Sequence, residues 1–168
     1  FEQNEIYKKI KISESKGYYD LVIGEVQSGK TNVIISHCYK AIKEGKKAII
    51  ITRNLNVDKI QMQGRIKKFN EKYSLEDKEK LKPLIVDKNT NDISKHNILL
   101  AIGHPKQIDN VHNIVYDNED IEFCLCIDEV DLLAGNTNKG ERYINKLIKE
   151  NNVVHTLGIT ATPMATLM

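Results

Sequence analysis

The sequence predicts an α/β fold, a three-layer sandwich around a mainly parallel sheet. Three observations carry that expectation. Short apolar runs alternate with amphipathic helical stretches along the chain, an octet spaced like a phosphate-binding loop lies between one such strand and one such helix, and the most apolar run ends on two carboxylates. Strands that alternate with helices need crossover connections, which place helices over both faces of a parallel sheet.

The elements follow in order. Tyr18 to Ile23 reads as a strand, and Thr31 to Glu44 as a helix with Ile34, Cys38, Ala41 and Ile42 on one side, closed by Gly45. Lys47 to Ile51 is a short apolar strand, Val57 to Tyr73 a charged amphipathic helix, and Leu84 to Val86 another strand. The segment Ser74 to Lys82 is dense in both charge signs, which marks a solvated surface and carries no function. Asn97 to Ile102 reads as a strand, Pro105 to Tyr116 as a helix with Ile108, Val111 and Val115 inward, and Ile121 to Ile127 as a strongly apolar strand. Arg142 to Glu150 is helical with Tyr143, Ile144, Leu147 and Ile148 on one stripe, and Val153 to Ile159 closes the series. No internal repeat, low-complexity tract or linker interrupts it.

With 168 residues, 40% hydrophobic and 29% charged, the chain can bury one core and reads as a single domain, residues 1–168. A net charge of +2 does not announce a nucleic-acid binder, although a balanced total can hide a basic face. Three cysteines, Cys38, Cys124 and Cys126, sit among apolar neighbours, which suits reduced thiols in an intracellular protein, cytoplasmic or in a host compartment if viral. Cys124 and Cys126 as metal ligands lack a second ligand pair, and their place in a core strand favours burial. No apolar run approaches membrane-spanning length. The chain starts at Phe1, without methionine, and reads as a piece of something longer.

The octet Gly24-Glu25-Val26-Gln27-Ser28-Gly29-Lys30-Thr31 fills every fixed position of G-x-x-x-x-G-K-[ST]. The pattern arises by accident about once in a hundred chains of this length, so its strand-loop-helix setting matters. Its glycines let a tight loop turn backbone N–H groups toward phosphates, and the following helix aims its positive end at them. Lys30 would reach the β and γ phosphates, and the Thr31 hydroxyl a magnesium ion.

The strand Ile121 to Ile127 runs into Asp128-Glu129-Val130-Asp131. Carboxylates at a strand's carboxyl end are costly unless a cation waits there, although an acidic turn is the plainer alternative. With a phosphate loop upstream, Asp128 would hold magnesium and Glu129 would polarise the attacking water. A third element, Gly158-Ile159-Thr160-Ala161-Thr162-Pro163, alone reads as a turn closed by proline.

Taken in order, the phosphate loop, D-E-x-D and T-A-T-P resemble the first motor domain of superfamily-two helicases and translocases. The resemblance covers nearly the whole chain. It implies a phosphate-loop (RecA-like) ATP-binding domain, the N-terminal half of a two-domain core, in which Thr160 and Thr162 couple nucleotide state to a second RecA-like domain outside this chain. It also implies nucleic-acid contacts at Arg53, within Thr52-Arg53-Asn54, and at Lys106, within Gly103-His104-Pro105-Lys106-Gln107. A solvated loop residue is the alternative for each. His104, without an identifiable partner, reads as a turn residue. Gln3 lies where the family often carries an adenine-reading glutamine, and otherwise is an exposed residue near the terminus.

One sub-branch is more similar, the ATPase domains attached to certain restriction-type endonucleases. It shares V-Q-S-G-K-T, here Val26 to Thr31, and a Q-x-Q-x-R-like helix, here Gln61, Gln63 and Arg65 after Thr52. That branch and the T-A-T-P form favour DNA over RNA as the track. The expectation is therefore an ATP- and magnesium-dependent motor on DNA, slow in hydrolysis as an isolated domain. A phosphate-loop ATPase of another superfamily and a nucleotide-switched binding module are the alternatives.

Overall fold

Strands apolar on both sides need cover on both faces, and the chain supplies it. The structure is a computed structural model, and it describes residues 7–13, 18–24, 27–53, 56–128 and 138–160. The strands are β1 (Tyr7–Ser13), β2 (Tyr18–Gly24), β3 (Lys47–Thr52), β4 (Pro83–Ile85), β5 (Ile98–Ile102), β6 (Phe123–Asp128) and β7 (Val153–Thr160). The helices are α1 (Gln27–Lys43), α2 (Asn56–Lys72), α3 (Pro105–Asp117) and α4 (Asn138–Ile148). The strands form one sheet in the order β1-β2-β7-β6-β3-β5-β4, parallel throughout except for β1, which pairs antiparallel with β2. The α/β sandwich with a mainly parallel sheet is as expected.

Alternation along the central strands sorts side chains into two cores. Ile49 and Ile51 of β3, Leu99 and Ala101 of β5, and Leu125 and Ile127 of β6 meet Ile108, Val111 and Val115 of α3 and Ile144 and Leu147 of α4. Ala48, Ile50, Ile98, Leu100 and Cys126 point the other way, onto Ile34 and Cys38 of α1 and Met62 and Ile66 of α2. Each fully buried isoleucine or leucine contributes about 1.5–3 kcal/mol of transfer free energy, so an aspartate at Ile50 would remove that and bury a charge.

Helix ends are set by local chemistry. α1 stops where Gly45 takes φ +84°, with Gly45 N–H donating to Ile42 O and Lys46 N–H to Ala41 O, the Schellman arrangement. α3 starts at Pro105 behind His104, whose Nδ1 accepts from the Lys106 N–H at 3.2 Å. Its far end is capped from another segment, for Asn152 donates to Val115 O at 2.9 Å and Asn118 O at 3.0 Å.

Two helices start four residues earlier than their patterns suggest, α1 at Gln27 instead of Thr31 and α4 at Asn138 instead of Arg142. Gly29 and Gly140 would be costly inside a helix, yet both lie near a helix start, where little of the interior glycine penalty applies. Strand β1 had no counterpart in the sequence reading. Its signal is the alternation in Lys9-Ile10-Lys11-Ile12, and lysines on an edge strand oppose stray pairing.

Candidate nucleotide site

Parallel register brings the motif-bearing strand ends to one edge of the sheet. Ile23 of β2 pairs with Thr160 of β7, Ile159 of β7 with Asp128 of β6, Ile127 of β6 with Ile51 of β3, and Thr52 of β3 with Ile102 of β5. Gly24, Thr160, Asp128, Thr52 and Gly103 therefore follow one another along the carboxyl edge, where α/β sheets bind ligands. β7 separates β2 from β6, so the phosphate-loop strand and the acidic strand stand about 10 Å apart, two strand spacings.

Gly24 ends β2 and Gln27 opens α1. The first helical turn holds Gly29, which is buried, and leads to Thr31, which is half-buried. N–H groups of a first turn have no partner inside the helix, and with the macrodipole they favour an anion there. Apolar residues lock α1 in place, since Val33, Ile34 and Ile35 pack with Leu157 and Ile159 of β7 and Cys126 of β6. For Gln27, Ser28, Lys30 and Thr160 the structure describes the backbone alone. Gln3, Glu25, Val26, Glu129 and Thr162 lie outside the described residues.

Asp128 ends β6 half-buried, with Oδ1 closed off from solvent. A carboxylate at this edge with one oxygen shielded from solvent is of the type that binds a hard cation. Among the described residues no three His, Cys, Asp or Glu side chains could hold a metal by themselves. Magnesium commonly takes one or two protein oxygens and fills its other positions with phosphate oxygens and water.

The contacts expected for nucleic acid are differently disposed. Arg53 directs a fork onto Asp58 in the first turn of α2, Nε to Oδ2 at 2.8 Å and Nη2 to Oδ1 at 3.0 Å. Lys106 is exposed on the first turn of α3. His104 is a turn residue, as read, with the added task of capping α3. Asp58 escaped the sequence reading, though an acid in a first helical turn close behind an arginine was the available signal. Gln107 closes the segment Gly103 to Gln107 singled out in the sequence; its Oε1 is buried and finds no hydrogen-bond donor among the described residues.

All three cysteines are free thiols and buried. Desolvation, with Cys126 nearby, pushes the Cys124 thiol up to about 11. Cys126 is raised as well, first by its hydrogen bond with Cys38 and then by burial. Thiols held protonated in this way are poor nucleophiles and poor ligands, which agrees with their reading as core residues.

A mainly parallel sheet between two helical layers, with a glycine-ended strand and a helix starting beside it, defines the class, a RecA-like α/β phosphate-loop domain. The family model for "Type III restriction enzyme, res subunit" matches residues 2–165, and the chain belongs to that family, a helicase-like ATPase domain associated with restriction enzymes. The match bears out both the superfamily-two resemblance and its restriction-type branch. No curated protein matches the chain. Among the described residues no helix is long and apolar enough to cross a membrane.

Proposed function

We propose that this chain is the ATP-binding half of a motor that couples ATP hydrolysis to movement on DNA. The observation that carries the proposal is the register-fixed row Gly24, Thr160, Asp128 along one sheet edge, with the start of α1 beside it. Lys30 and the loop amides of Gly24 to Thr31 hold the phosphates, and Thr31 and Asp128 hold magnesium. Bound there, magnesium would neutralise charge developing on the transferred phosphoryl group. Glu129, the residue after Asp128, orients and polarises the attacking water. Thr160, whose strand lies between the two walls of the row, and Thr162, two residues on in sequence, pass the nucleotide state to a second RecA-like domain outside this chain. Gln3, four residues before the strand residue Tyr7 that pairs with Gly24, contacts the adenine. Arg53 and Lys106 flank the track on the same edge, where cations meet the phosphate backbone.

Tests use the complete protein and steady-state ATPase with and without DNA. Lys30→Ala should abolish ATP binding, whereas Glu129→Gln should retain binding and lose turnover and translocation together. A Glu129→Gln protein that still translocates would overturn the motor reading and leave a nucleotide-operated binding switch. The 168-residue chain alone should bind ATP weakly and turn it over slowly, because the second domain supplies an arginine finger worth about a thousandfold or more.

A further inference from the structure

We draw no further inference here: the strongest candidate, the cavity at the amino edge of the sheet where His37 of α1 stacks on His155 of β7, is lined by the ammonium groups of Lys40 and Lys46 and by the carboxylates of Glu44 and Glu122 in equal number, so that nothing in the structure shows what would fill it.

Discussion

Asp58→Asn should tighten binding to DNA while loosening the fold, because the carboxylate that holds Arg53 also repels any phosphate that Arg53 could meet. The fork distances are 2.8 and 3.0 Å, but the Arg53 side chain is 40% exposed, so solvent screening leaves the pair worth about 1 kcal/mol. Its loss should lower the melting temperature by roughly 2–4 °C for a chain of this size. A phosphate on the outer side of the guanidinium would lie about 7 Å from the Asp58 carboxylate. At that distance like charges repel by about 0.6 kcal/mol at the dielectric of water and about 2.4 kcal/mol at an effective value of 20. For a half-exposed pair, about 1 kcal/mol is a fair middle, which predicts DNA affinity about fivefold higher in Asp58→Asn. Fluorescence anisotropy of a labelled 20-mer across a salt series reads this directly, with Arg53→Ala as the companion. Arg53→Ala should weaken binding and flatten the salt dependence by about one phosphate contact. If Asp58→Asn binds DNA no better than the parent, Asp58 does not compete for Arg53. If Arg53→Ala leaves the salt slope untouched, Arg53 does not lie on the track.

Other expectations concern the frame around the site. Asn152→Ala removes the donor shared by Val115 O and Asn118 O and should cost about 2 kcal/mol, readable in urea denaturation. Gly45→Ala forces a side chain into left-handed backbone at open space, so its cost of about 1 kcal/mol is conformational, and Gly45→Asn should recover part of it. Cys124 has its thiol raised from 9.0 to about 11 in the folded chain, which favours the protonated form there. Its contribution to stability is therefore intact below about pH 9 and lost as pH climbs through about 11; Cys124→Ala should flatten that alkaline decline in a melting series. Iodoacetamide at pH 8 should label native Cys124 about a hundredfold more slowly than an ordinary thiol, and the gap should close in urea.

The sheet was legible in the sequence because its central strands are apolar on both faces, a pattern that Ile49 to Ile51 and Leu99 to Ala101 display without ambiguity. Helix interiors were legible for the same reason: Ile108, Val111 and Val115 repeat at helical spacing and all are fully buried. Helix starts were not, since glycine at a first turn looks identical to glycine in a loop until a neighbouring strand shows where the chain has turned. β1 was missed because a lysine-rich alternation pairs at an edge only once β2 is present to receive it. At the site, the residue types at Gly24 and Asp128 announced themselves by spacing, but their common edge depends on register. Sequence offers an acid close behind Arg53 but not the contact between them, because that contact turns on the angle at which α2 leaves β3.

The place of β7 bears on how the site comes into being. Ile23, next to the phosphate loop, finds its parallel partner only in Thr160, more than 130 residues later in the chain. A ribosome working at about 5–20 residues per second needs roughly 7–27 s to deliver it. Through that interval the nascent loop has the hairpin with β1 and no seat in a parallel sheet, so ATP has nothing finished to bind. A product terminated before β7 would keep the whole octet in its sequence and lack the strand that carries the octet to Asp128.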